Sequence, residues 1–287
     1  MPLTRSTLRR DGIVLLVYAI LALAATYPLV THFDTHVSGQ GVDDPAQMWS
    51  LWWVKFSVLN LGVSPFSTDY LFYPVGINLA AYTPTILNGI LSIPLQLVFG
   101  IIVAQNLLLV FAFVASGYGV FLLTREILAR AKIHSDWAAA LAGAFFAFGA
   151  WHVNYADATY MLVSNEWIPF YALYLIRIHK QGWRNGAFAG VFLALATCTE
   201  LTFVPFLAIL TALYLLYLLI LSHLHGCAAV QAQSRAVQVL RAKRSNLRSR
   251  IGDCFVAILR LRDTNRRSAQ DAPRNDISWH RVSRAFG

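Results

Sequence analysis

The side chains of this sequence best suited to chemistry are acids. Asp43 and Asp44 stand in tandem ahead of Pro45, and Glu166 and Glu200 lie beside apolar stretches. A carboxylate pair can take a proton from an acceptor hydroxyl or hold a divalent cation. Buried together, the two would raise each other's proton affinity, so a metal or Lys55 would be needed to keep both ionised. Lys55 follows Asp44 by eleven residues, about three helical turns, and reaches it only if the helix bends. A plainer reading makes Asp44 a helix cap and Asp43 its solvated neighbour. His152 offers metal or phosphate ligation, or is simply a solvated loop imidazole. Glu166 falls about one turn inside an apolar run, where an acid either faces a cavity or snorkels to the interface. Glu200 occupies a turn, where exposure accounts for it.

No nucleotide-binding loop, zinc-protease helix, nucleophile elbow or Cys-x-x-Cys pair accompanies these residues, which excludes the usual soluble-enzyme templates. Cys198, Cys227 and Cys254 have neither metal-ligand nor disulfide spacing.

The elements that must position the acids are apolar. Hydrophobic residues make up 57% of the chain and charged ones 13%, against roughly 25% charged in soluble domains. Runs long enough to span lipid recur at Gly12–Val30, Ile102–Leu123, Trp137–Trp151, Met161–Ile178, Gly186–Thr199 and Phe203–Leu221. They predict an all-α, polytopic transmembrane bundle of about six spans over residues 1–222. The first run is too long for a signal-peptide core and ends in Tyr27-Pro28 rather than a small-residue cleavage site, so it reads as a retained anchor. The formal charge of +9 is confined to the end of the chain. Residues 1–222 hold ten basic and ten acidic side chains, whereas residues 223–287 hold thirteen and four. With the amino terminus inside, nine of the ten basic residues of the membrane part fall on the cytoplasmic side, and Lys55 alone falls outside. Both termini are then cytoplasmic, and Asp34, Asp43, Asp44, Asp69, Asp157, Glu166 and Glu200 gather at the outer face.

Residues 31–100 form a long first outer loop, too long for a simple connection. Asp43-Asp44-Pro45 reads as a helix start leading into the aromatic stretch Met48–Phe56, which suits the headgroup level. Tyr73-Pro74-Val75-Gly76 reads as a turn, and Ile86–Phe99, interrupted by Pro94, as a second interfacial helix. From His223 the sequence turns abruptly polar and basic. It reads as a poorly ordered cytoplasmic tail, as an arm for anionic lipid or nucleic acid, or as a continuation that is not native to a longer membrane protein. The confinement of the excess charge to this tail removes the argument for a nucleic-acid partner of the membrane part.

Three segments, Asp43-Asp44-Pro45-Ala46-Gln47-Met48-Trp49-Ser50-Leu51-Trp52-Trp53, Asn60–Phe66 and Tyr70–Leu79, together with Glu166-Trp167-Ile168-Pro169, resemble uncharacterised bacterial members of the polytopic lipid-dependent glycosyltransferases of the C-type fold. That class includes aminoarabinose transferases, protein O-mannosyltransferases and oligosaccharyltransferases. The order of parts is also similar: a cytoplasmic amino terminus, one span, a long acidic outer loop with two interfacial helices, then closely spaced spans.

The resemblance covers about residues 10–222 and implies transfer of a sugar from a polyprenyl-phosphate donor in the outer leaflet of a bacterial inner membrane. In this class an acid of the first outer loop acts as base or metal ligand. That role falls on Asp43 or Asp44, with magnesium or manganese as the cation, and Glu166 is the next acid in line. Trp52, Lys55, Tyr73 and His152 are the implied substrate contacts. The departing phosphate wants cationic stabilisation, which on the outer side only Lys55, His32, His36, His152 or a divalent ion supply. The class usually has more spans, so the chain reads as a whole enzyme or its amino-terminal part. A lipid or amphiphile transporter of flippase type, and a noncatalytic assembly subunit, are the alternatives.

Overall fold

A computed structural model describes residues 5–41, 43–79, 85–157, 160–181 and 183–223. The expected tail lies outside them apart from His223. α1 spans Arg5–Ala25 and is followed by a 3-10 turn at Leu29–His32. α2 spans Asp44–Phe56 and widens into a π turn at Ser57–Leu61, closed by Gly62 in the left-handed region. Strands β1 (Ser67–Thr68) and β2 (Ile77–Asn78) pair antiparallel, Ser67 opposite Asn78. Then come α3 (Ile86–Arg130), α4 (Asp136–Ala147), α5 (Ala150–Ala156), α6 (Tyr160–Val163), α7 (Trp167–Gln181) and α8 (Trp183–Thr199), and α9 (Phe203–His223). The class is all-α, as the sequence implies, with one small hairpin added.

Short-range chemistry sets several of these boundaries. Pro45 sits in the first turn of α2, where a missing N–H is harmless. Ser135 caps α4, its hydroxyl accepting from Ala138 N at 3.2 Å. The expected turn at Tyr73–Gly76 carries the chain from β1 to β2, and the N–H groups of Val75 and Gly76 both donate to Phe72 O. Gly76 has φ 68, and a Cβ there would lie 2.7 Å from Thr68 O, so glycine alone fits. α3 is two helices meeting at Gly100, whose φ of 82 and ψ of 169 break the helical path. The expected division between an interfacial helix ending at Phe99 and a span beginning at Ile102 falls at that break.

α3 is the central element and packs on α1, α2, α4 and α7, while α7 pairs with α8. One core gathers Ala22, Leu29, Leu51, Leu109, Phe113 and Val163. A second joins Tyr171 and Leu175 of α7 to Ala189, Ala196, Phe203 and Leu207. Tyr18, Phe121 and Ala139 join α1, α3 and α4. There Tyr18 donates to Ala140 O at 2.7 Å, and a side chain at Gly143 would collide with the Tyr18 hydroxyl and with Gly117 O. The same three helices and α7 are tied by charges at one end. Arg125 meets Asp136 at 2.8 Å, Arg10 meets Asp136 at 3.6 Å and Asp11 at 2.7 Å, and Glu126 holds Arg130 at 3.1 Å and Arg177 at 2.9 Å. Of these, Arg10, Asp11, Arg125, Glu126, Asp136 and Arg177 line a cavity of about 580 Å³.

Among the described helices two, α3 and α9, are long and apolar enough to cross a membrane, against the six runs read from the sequence. The physical reason is visible in each remaining run. The first helix ends at Ala25 and carries Arg9, Arg10 and Asp11 within its own length. Trp137–Trp151 divides at Phe148-Gly149 into α4 and α5, and Met161–Ile178 is interrupted at Ser164-Asn165-Glu166. α8 has 17 residues, about 25 Å of helix. The chain divides into two units, residues 1–214 and 215–287. The second is described only along the end of α9, where Leu215, Leu216, Leu219 and Ile220 are exposed.

Candidate functional site

Asp44 opens α2 but does not cap it. The N-cap position belongs to Asp43, whose side chain makes no capping bond. Asp44 instead reaches backward: its Oδ2 accepts from Gly41 N at 2.9 Å, and its carboxyl group lies so close to Gly39 that no Cβ fits there. Only 3% of Asp44 is exposed, and its Oδ1 is buried without a hydrogen-bond partner. Gly39 also forms part of the wall of a cavity of about 460 Å³ that includes Thr26, His32, His36, Ser38 and Asp157. Asp44 therefore stands directly behind the lining of an open cavity, at the positive end of a helix that favours its charge.

A buried polar seam continues from Asp44 along α2. Asp44, Gln47 and Ser50 recur every three residues on α2, and Asn88, Ser92 and Gln96 recur every four on the first half of α3; all six are buried. Gln96 donates to Leu51 O at 2.9 Å and to Ser92 Oγ at 2.7 Å, joining the two helices. Asn88 donates to Ser164 Oγ at 2.8 Å, joining the seam to the break between α6 and α7. Oxygens of Asp44, Gln47, Ser50, Thr85, Gln96 and Glu166 are buried there without partners among the described residues. A buried polar atom left unpaired costs about 1–3 kcal/mol, so this concentration of acceptors is unusual for a structural core.

Glu166 lies in that break, ahead of the first turn of α7 rather than one turn inside a span. It is 1% exposed, with Oε2 unpartnered, and burial pushes its carboxyl up to about 7. His152 is not solvated as a loop residue would be. It is buried on α5, with Nδ1 2.6 Å from Phe146 O and Nε2 3.1 Å from Asn165 Oδ1. Both ring nitrogens are thus engaged within the protein. Glu200 is likewise buried, at 3% exposure, which corrects the reading of an exposed turn acid. Burial raises its carboxyl above the usual range, although Oε1 accepts from Thr202 N at 3.2 Å.

The other expected contacts are dispersed. Trp52 stacks on Phe56 with ring centres 4.9 Å apart, inside a cluster with Trp49, Trp53 and Tyr70. Trp53 Nε1 donates to Pro65 O at 3.0 Å and fixes the loop that follows. Lys55 is in the last turn of α2, about 16 Å along the axis from Asp44. Tyr73 is 81% exposed at the hairpin tip. No three His, Cys, Asp or Glu side chains converge as a metal-ligand set among the described residues, so Asp43, Asp44 and Glu166 do not form one. Asp44 Oδ1 offers a single oxygen ligand, which suits a magnesium-type ion that keeps water and substrate phosphate as its other ligands. Sequence reasoning passed over the 88-92-96 and 44-47-50 polar periods, although amides and hydroxyls at helical spacing within apolar stretches were a readable signal. Comparison with protein-family models, with curated proteins and with solved structures finds no match to this chain.

Proposed function

We propose that the chain is a polytopic membrane glycosyltransferase, or the amino-terminal part of one, that moves a sugar from a polyprenyl-phosphate donor with Asp44 as the reacting acid. The observation that carries this reading is the state of Asp44: a buried carboxylate, free of capping duty, with one oxygen unpartnered behind a cavity wall. A base so placed would take the proton of an acceptor hydroxyl as that oxygen attacks the anomeric carbon. The bond from that carbon to the phosphate oxygen breaks, and the electron pair leaves with the phosphate. The seam of unpaired acceptors supports a hydroxyl-rich ligand such as a sugar, which brings donors to match them. Were Asp44 to serve instead as a metal ligand, with Asp43 beside it, a magnesium or manganese ion there would supply positive charge for the leaving phosphate. Trp52 and its aromatic neighbours suit an apolar or sugar face.

Membrane residence is supported by an inverted distribution of polarity. Leu16, Ile20, Trp137, Phe145, Phe188 and Phe206 are exposed while Gln47, Asn88, Gln105 and Asn106 are buried, as suits a hydrocarbon solvent. In this reading α1, residues 101–130 of α3, α4 with α5, α7, α8 and α9 are the spanning segments. The short members thin the bilayer locally and snorkel their flanking polar side chains. The ion-paired end carries Arg10, Arg125, Arg130 and Arg177 and is the cytoplasmic side, with Asp44 outside.

Turnover of a polyprenyl-phosphate sugar in lipid by the purified chain, or by a longer transferase that contains it, abolished in Asp44→Asn, tests the proposal; turnover undiminished in Asp44→Asn, or none from either protein with any acceptor class, defeats it. A transporter for a lipid or amphiphile is the second reading, favoured by cavities at both ends of α1. Flux into liposomes without turnover would select it.

A further inference from the structure

The cavity that Gly39 helps to wall carries a second feature, a pair of histidines. Residues 31–36 read Thr-His-Phe-Asp-Thr-His, so a Thr-His unit repeats after four residues. His32 and His36 both line the cavity, with ring centres 5.0 Å apart and planes at 74°.

Hydrogen bonding to a threonine beside each ring bears on which nitrogen carries the proton. Thr31 Oγ1 donates to Pro28 O at 2.7 Å and also lies 2.8 Å from His32 Nδ1. Thr35 Oγ1 donates to His32 O at 3.3 Å and also lies 2.9 Å from His36 Nδ1. A hydroxyl has one proton. With that proton directed to a carbonyl, each threonine oxygen accepts from Nδ1–H, and the lone pair is left on Nε2, the ring atom farthest from the chain. Outer partners that fix the tautomer in this way are what metal-ligating imidazoles require.

The spacing fits as well. With metal–nitrogen bonds of about 2.0–2.1 Å and a ring centre about 1.1 Å behind each nitrogen, two imidazoles meeting one ion at a tetrahedral angle have centres about 5 Å apart. We propose that His32 and His36, oriented by Thr31 and Thr35, form a two-imidazole site for a divalent late-transition cation, zinc foremost. Imidazole suits zinc, copper and nickel, whereas magnesium and calcium prefer oxygen. Asp157 lines the same cavity, but its Oδ1 accepts from Ser38 Oγ at 2.7 Å, and no third ligating side chain completes the set among the described residues. The site is therefore open, its remaining positions turned to water or to an anionic group in the cavity. It is separate from the oxygen-liganded ion suggested at Asp44 and stands whether or not the chain transfers sugar.

The test is zinc titration of the full chain, purified in detergent and stripped by chelator, against a chromogenic competitor. His32→Gln with His36→Gln should weaken the tightest equivalent by tenfold or more. Thr31→Val with Thr35→Val should weaken it about tenfold, and Thr31→Ser with Thr35→Ser should preserve it. Unchanged affinity in the double glutamine variant overturns the site, and unchanged affinity in the valine variant overturns the tautomer argument on which it rests. Should the variants fail to fold, footprinting of the unaltered chain with diethyl pyrocarbonate decides: zinc should protect His32 and His36 together. Equal modification with and without zinc overturns the proposal.

Discussion

Replacing Asp44 by Asn keeps an oxygen for Gly41 N–H and removes the charge, so the change separates chemistry from helix initiation. Asp44→Asn should lower sugar transfer by about 10² or more, the scale of losing a general base, with helix content by circular dichroism unaltered. Asp43→Asn should have a much smaller effect, because Asp43 is only half-buried. Glu166 makes a pH prediction. Its carboxyl sits near 7 in the fold against 4.5 ordinarily, so the unfolded chain gives up the proton first. Stability then falls as pH rises from about 4.5 to about 7. Glu166→Gln should flatten that fall, and its melting temperature in detergent should exceed the parent's at pH 8 but not at pH 4.5. Equal pH slopes would show that Glu166 finds a partner. At this scale the sequence pointed to Asp44 as an acid at a helix start, since Asp-Asp-Pro followed by aromatic residues is a local signal. It left Glu166 between a cavity and the interface and missed the burial of His152 and Glu200, because burial is decided by which helices pack over a loop and not by the loop itself.

Between elements, the contact of α2 with α3 depends on Gly89, where a Cβ would lie 2.6 Å from Val54 Cγ2. Gly89→Ala should destabilise by about 1–3 kcal/mol through overpacking. Adding Val54→Ala should recover much of that loss, so that the pair couples by about 1 kcal/mol or more in a double-mutant cycle read by denaturation. Additive losses would mean that the helices shift to accommodate the methyl group. The division of α3 was legible because Pro94 and the charge alternation argued that Ile86–Phe99 does not cross, and Gly100 supplies the break. The interruptions at Phe148-Gly149 and Ser164-Asn165-Glu166 were not legible as breaks. Hydropathy averages over a window, and two or three small or polar residues inside an apolar run leave the average high.

For the whole molecule, the sidedness of the proposed topology is open to labelling. In a cysteine-free background, a cysteine at Asp157 should react with an impermeant maleimide on intact cells, and one at Lys132 only after permeabilisation; the reverse pattern would invert the topology. The charge count that motivates this was legible from sequence, and the ion-paired cluster of Arg10, Arg125, Glu126, Asp136 and Arg177 joins residues assigned to one side. The number of self-sufficient spans was not legible, since composition reports apolarity and not the length of an unbroken helix. That only α3 and α9, among the described helices, are long and apolar enough to cross bears on biogenesis. As the nascent chain leaves the ribosome, α4, α7 and α8 have too little continuous apolar length to partition into lipid unaided. In the proposed topology they wait against α3 at the insertion machinery and enter lipid with α9 as a group. Glycosylation-reporter fusions ending after residue 200 should therefore give mixed orientations, and fusions ending after residue 223 a single one.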